Sequence, residues 1–117
     1  MSLPEIVRVA AAKKVDRFCR NRIPPHARDQ VRLEYTVRGN SITIVETRPP
    51  WNPALIGPEW TRMKIAQLRY NAEAQSWTLW WADRNERWDR YWDTDPSPDV
   101  SPLLAELDED PTAVFWG

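Results

Sequence analysis

What this chain has little of narrows it first. It contains one histidine, His26, and one cysteine, Cys19, so a zinc site made of His and Cys ligands cannot be assembled and an internal disulfide is impossible. An unpaired cysteine suits a reducing compartment, and its place on a predicted helix marks it as a buried, inert thiol. Only three glycines are present. The chain has no glycine-rich phosphate loop, no dinucleotide fingerprint and no Gly-x-Ser-x-Gly elbow. No run is long or apolar enough to cross a membrane, and the stretch from Val7 to Ala12, interrupted by Arg8, is too short for a signal peptide. A cytoplasmic location is therefore expected, with no membrane partner, no metal and no cofactor. Aliphatic residues are sparse, whereas tryptophan occurs eight times. Indoles are accordingly expected to be the principal filler of the core.

A formal net charge of −1 conceals a gradient along the chain. Residues 1–48 carry ten Lys or Arg against five acids, residues 49–94 six against six, and residues 95–117 six acids and no base. A basic front half suggests an anionic partner. The alternative, preferred here, is that the acidic end docks on the basic start within one compact domain.

Ser2 and Glu5 have the spacing of a capping box, with Pro4 allowed in the first turn. Leu3, Val7, Ala11, Val15 and Phe18 recur at helical spacing, which predicts a helix from about Leu3 to Arg20, ended by Ile23-Pro24-Pro25. Asp16 is placed to pair with Arg20, and the basic face of this helix reads as solvated. His26, beside Pro25, reads as a loop residue.

Val31–Val37 alternates apolar and polar residues, and Ile42–Thr47 follows after a Gly39-Asn40 turn. That register sets Glu46 opposite Leu33 on the apolar face, where a carboxylate needs a partner; Arg48 or Arg69 is expected to supply it. The proline-rich stretch from Arg48 to Trp60 reads as a long connection. It is either pinned by Trp51, Leu55, Ile56 and Trp60 or forms a rim carrying Arg48 and Trp51 over an opening. Met63–Tyr70 is a third predicted strand.

The densest signal lies between Trp77 and Trp92, which hold five of the eight tryptophans. Two aromatic runs flank Asp83-Arg84-Asn85-Glu86, the pattern of a hairpin. A two-residue turn at Arg84-Asn85 would place Trp77, Leu79, Trp81, Trp88 and Trp92 on one side. A three-residue turn ending on Glu86 would instead group Trp77, Leu79, Trp81, Asp89 and Tyr91, leaving Trp80, Trp88, Arg90 and Trp92 opposite. The first register is preferred. As a central strand, Trp77–Asp83 is expected to be covered on both faces. After a polar link, Ser101 is expected to cap a short helix with Pro102 in its first turn and Leu103, Leu104 and Leu107 buried. Asp108, Glu109 and Asp110 crowd its negative end and call for a cation, Arg17 or Lys13. The closing Ala113-Val-Phe-Trp-Gly segment should be tucked in.

Together these readings predict a single α+β domain over residues 1–117: an antiparallel meander of about five strands, an N-terminal helix packed on one face, and a short C-terminal helix. No motif names a reaction. The preferred functional reading is a non-catalytic binding module for a small ligand or single-stranded nucleic acid, with Arg48, Trp51, Arg69, Trp80, Arg84, Arg90 and Glu46 as candidate binding residues. An adaptor for a protein partner, or a homodimer, is the second reading. The third is a small hydrolytic enzyme using Glu46, Asp83, Asp89 and Arg69.

Several segments taken together resemble a known family. They are Arg17-Phe18-Cys19, Arg22-Ile23-Pro24-Pro25-His26, Gly39-Asn40, Glu46 with Arg48-Pro49-Pro50-Trp51, Trp77-x-Leu79-x-Trp81-x-Asp83-Arg84-Asn85, and Phe115-Trp116-Gly117. The chain resembles, over nearly its whole length, the bacterial family known as domain of unknown function 3024. The resemblance implies a bacterial source and a complete single-domain member, and it carries no activity or catalytic assignment. In that family a histidine often follows the tryptophan where this chain has Asp89, a departure that weakens any catalytic reading of that strand.

Overall fold

Apolar residues recurring every three to four positions wind the first helix, α1 (Glu5–Arg22), in a computed structural model that describes residues 3–116, the side chains of Pro53 and Ile56 apart. Leu3, Ala11, Val15 and Cys19 are buried, and Val7 and Phe18 pack against them. Arg20 pairs with Asp16 at 3.0 Å, as the spacing requires. The helix begins at Pro4 without a side-chain cap; the expected cap residue, Ser2, lies outside the described residues. Burial, reinforced by the Asp16 charge, pushes the Cys19 thiol up to about 12, which keeps it protonated and unreactive.

Five strands follow in chain order: β1 (Arg32–Arg38), β2 (Ser41–Arg48), β3 (Thr61–Asn71), β4 (Ser76–Ala82) and β5 (Trp88–Arg90). Each pairs antiparallel with the next, giving a sheet of order β1-β2-β3-β4-β5. The first hairpin has the predicted register, with Val37 opposite Ile42 and Tyr35 opposite Ile44. Its positive φ falls on Gly39 (+57°), where any side chain would be strained. A bulge between Ile44 and Val45 gives β3 one extra residue, Ile65, which joins the core. The connection after β2 contains a four-residue helical turn, α2 (Pro53–Ile56), which the sequence reading missed. Asn52 starts it, its side chain accepting the Ala54 amide at 3.1 Å. Trp51 and Leu55 do not pin this connection, because they are 79% and 73% exposed.

The last helix, α3 (Ser101–Glu109), buries Leu103, Leu104 and Leu107 as predicted. Its start differs from expectation. The Ser101 amide donates to the Asp99 carboxylate at 2.7 Å, so Asp99, not Ser101, closes the first turn. Asp99 also pairs with Lys14 of α1 at 2.5 Å, and that pair holds its carboxyl down at about 2. At the far end Asp108 pairs with Arg22 rather than Arg17 or Lys13. Asp110 takes the left-handed cap position (φ 44°), and its carboxylate accepts the amides of Phe115 and Trp116 at 3.2 and 2.9 Å. That clamp tucks the chain end in, with Phe115 buried and the Trp116 indole donating to the Leu107 carbonyl at 2.8 Å.

Both helices lie on one side of the sheet. The core joins Ala11 and Val15 of α1, Leu103 and Leu107 of α3, and Ile42, Ile44, Leu68, Tyr70, Trp77 and Leu79 of the strands. Tryptophan is not its principal filler: of the eight indoles only Trp77 is fully buried, at 1% exposure. Isoleucine, leucine and valine supply most of the interior, because Trp80 and Trp88 fall on the other face of the sheet. β4 is likewise covered on one face only.

Candidate functional site

Strand side chains alternate between faces, so the register fixes what the uncovered side of the sheet presents. Four rows cross it. Arg38, Ser41, Arg69 and Thr78 form one, and Thr36, Thr43, Gln67, Trp80 and Arg90 the next. Glu34, Val45 and Lys64 form the third, and Arg32, Thr47 and Arg62 the fourth, with Val45 and Thr47 themselves buried. Arg32, Arg38, Arg62, Lys64, Arg69 and Arg90 thus share a face on which Glu34 is the only acidic strand residue. A molecule with almost no net charge has a strongly cationic side.

The aromatic residues of this face depend on the second hairpin. β4 and β5 pair Trp80 with Arg90, Trp81 with Asp89 and Ala82 with Trp88. This is the three-residue-turn register, and it overturns the preferred one. Asp83 decides it. Its carboxylate accepts the amides of Asn85 and Arg87 at 2.8 and 2.9 Å, its backbone amide donates to the Arg87 carbonyl, and Glu86 takes a positive φ of 62°. An aspartate side chain that folds the turn over itself favours the longer loop. The same amides, that of Arg87 first, hold the Asp83 carboxyl below its ordinary range. The register sends Trp77, Leu79, Trp81 and Tyr91 to the helix side and Trp80, Trp88 and Trp92 to the open side.

There the cations sit over the rings. The Arg69 guanidinium sits 3.8 Å from the centre of the Trp80 ring, Arg90 4.1 Å from Trp92, Arg32 4.2 Å from Trp60, and Lys64 5.7 Å from Trp88. Each such contact is worth about 0.5–1 kcal/mol when exposed, and they occur about once per 70–80 residues; four on one small face is a concentration. Hydrogen bonds tie the row of Trp80 to the row of Arg69. Trp80 Nε1 donates to Thr78 Oγ1 at 2.9 Å, Gln67 Nε2 to Thr43 Oγ1 at 2.9 Å, and Arg69 Nε to Gln67 Oε1 at 2.6 Å. Partial burial pulls the Arg69 pKa down. Among the described residues only Arg62 of these cations has a carboxylate partner, Glu34 at 3.2 Å. Arg90 Nε is buried and has no hydrogen-bond acceptor, an arrangement that costs stability unless something accepts from it.

The profile of a family described as a domain of unknown function, DUF3024, matches residues 3–117. The chain belongs to the DUF3024 family. No curated protein and no solved structure matches it.

The seven candidate residues do not all meet in this DUF3024 chain. Arg69, Trp80 and Arg90 come together on the open face, across β3, β4 and the edge strand β5. Glu46 and Arg48 pair with each other at 2.8 Å, the expected ion pair, near the far end of β2. Trp51 projects into solvent, and Arg84 is exposed at the tip of the second hairpin. The acids of the hydrolytic reading are scattered. Glu46 lies on the helix side of β2, and Asp89 lies on the same side three strands away, about 14 Å at ordinary strand spacing. Asp83 is occupied by its own turn, and Arg69 points to the opposite face. No shared cleft joins them. Sequence reasoning passed over Arg32, Arg38, Trp60, Arg62, Lys64 and Trp88 as members of one surface. The signal was present in β1, whose charged residues all fall at even positions, but it needed the register of β3 and β5 to become a patch.

No helix among the described residues is long and apolar enough to cross a membrane.

Proposed function

We propose that this DUF3024 chain is a binding module for single-stranded nucleic acid and that the open face of the sheet is its interface. The observation that carries the reading is the row of cations stacked on indoles, Arg69 on Trp80, Arg90 on Trp92 and Lys64 on Trp88, none of them with a carboxylate partner among the described residues. Guanidinium groups meet phosphates as charge-assisted donors. The exposed Trp92 indole, the half-buried Trp80 and Trp88 and the guanidinium planes offer stacking surfaces that every base can use, at about 1–3 kcal/mol per base. Single-stranded rather than double-stranded nucleic acid fits because a sheet face presents rings broadside, which suits unstacked bases.

A protein partner is the weaker reading. Val45 and Ala82 are the only aliphatic strand residues on the face, so a protein interface would have little apolar core. A second copy could offer its acidic end, but Asp99, Asp108 and Asp110 are already engaged by Lys14, Arg22 and the tail amides. A bacterial and cytoplasmic setting belongs to the same proposal: the family resemblance suggests the first, and the single buried thiol suits the second.

Fluorescence anisotropy of labelled oligo(dT) and oligo(U) tests the proposal. The unmodified chain should bind at about 50 mM salt and weaken steeply by about 200 mM, and Arg69→Glu with Arg90→Glu should lower affinity at least about ten-fold. Absence of binding at low salt would end this reading.

A further inference from the structure

The basic surface does not stop at the edge of the sheet. β1 is an edge strand, and between it and the last turns of α1 lies a cleft of about 480 Å³ whose walls include Arg20, Arg28, Arg32 and Tyr35. Arg32 is the seam: it stacks on Trp60 of the open face, and its Nε donates to the Arg28 carbonyl at 2.9 Å. Arg28 is fixed in turn by a bond from its Nη2 to the Arg20 carbonyl at 3.2 Å. The two acids of the cleft wall are already paired, Asp16 with Arg20 and Glu34 with Arg62. Arg28 and Arg32 therefore keep their charge unanswered by any carboxylate among the described residues. A shallower groove of about 640 Å³ shares Asp16, Arg20 and Tyr35 with this cleft and continues past Arg17 and Lys13 along α1. Those two also have no carboxylate partner among the described residues.

We infer that this cleft and groove form a second phosphate-binding segment, which takes the continuation of a nucleic-acid strand from the open face, around the β1 edge, onto α1. The inference rests on the proposed function. It adds that the full site is longer than the sheet face and recognises mainly the sugar-phosphate backbone at its far end, where Tyr35 is the one aromatic ring in the walls of the cleft and the groove. The excess of Lys and Arg in residues 1–48 is then divided between two consecutive stretches of one track.

The test compares oligo(dT) of about four and about sixteen nucleotides, lengths that bracket short and extended occupancy, on the unmodified chain and on Arg17→Glu with Arg28→Glu. The substitutions should leave the short oligonucleotide's affinity within about two-fold and lower that of the long one by about ten-fold, with a salt slope shallower by about one to two. An unchanged gain from length in the variant would overturn the second segment while leaving the open-face reading intact. Failure of the unmodified chain to bind either oligonucleotide would remove both. If the charge reversals do not fold, the unmodified chain still decides. Its salt slope must be steeper for the long oligonucleotide than for the short one by about one or more; equal slopes contradict the inference.

Discussion

At the residue scale, the eight tryptophans divide by face, and that division gives each a different duty. Trp77 is sealed between the sheet and the helices, 5.1 Å from the Tyr70 ring. Trp77→Ala should cost about 3–5 kcal/mol in denaturant unfolding, the usual penalty for emptying an aromatic core site. Trp80, three residues on, faces outward, with Arg69 over its ring and Thr78 accepting from its indole. Trp80→Ala should cost no more than about 1 kcal/mol and should show its loss in oligonucleotide affinity instead. The sequence reading kept Trp80 as a candidate binding residue yet expected β4 to be covered on both faces, because the adjacent Trp80 and Trp81 give no sign of which face is open. That the helices were too few to cover both faces was a fact of tertiary packing. A second residue-scale expectation concerns Asp99, held near 2 by Lys14. Its folded value lies below the ordinary carboxylate value of 3.8, so the stability it contributes is fully present above pH 3.8 and is lost as pH falls towards 2. Lys14→Met should return the Asp99 titration, followed by carboxyl NMR, towards 3.8. The pair is half-exposed, so its effect on overall stability should be small.

At the scale of the elements, the second hairpin is where a one-residue choice has the largest consequence. Had the turn been Arg84-Asn85 alone, every side chain of β5 would have changed face, and Arg90 would have left the open surface. Asp83 prevents this by accepting two amides, yet the longer turn requires a left-handed residue, and the chain supplies Glu86 rather than glycine. Glu86→Gly should therefore stabilise the protein by about 0.5–1 kcal/mol, the left-handed penalty for a side chain less the entropy that glycine loses. Urea denaturation measures it, and a loss of stability would mean that the turn is not the one described. The aspartate heading the turn was the legible clue to the register; the absence of a glycine at its end pointed the other way. By contrast the first hairpin, α1 and the leucines of α3 were readable from periodicity together with the Gly39-Asn40 turn and the prolines after α1, because each faces a single apolar side. The short helix α2 was hidden by its prolines, which read as extended chain until Asn52 is seen to cap it.

Across the whole molecule, charge segregates by face more than by position along the chain. The acidic end does dock on α1, through Lys14–Asp99 and Arg22–Asp108, and the Arg22 guanidinium lies 4.0 Å from the centre of the Trp116 ring. These contacts answer two of the six acids of residues 95–117, while Glu106 and Asp110 are held by hydrogen bonds. On the open face and the β1 edge, most of the cations have no carboxylate partner among the described residues. Net charge was a poor guide because it averages two sides with different duties. The most direct measurement follows the indole N–H signals in a two-dimensional ¹H–¹⁵N spectrum as single-stranded oligonucleotide is added. The account predicts that Trp60, Trp80, Trp88 and Trp92 shift together while Trp77 stays in place. Shifts confined to Trp77 and Trp116 on the helix side, or no shifts at low salt, would contradict it.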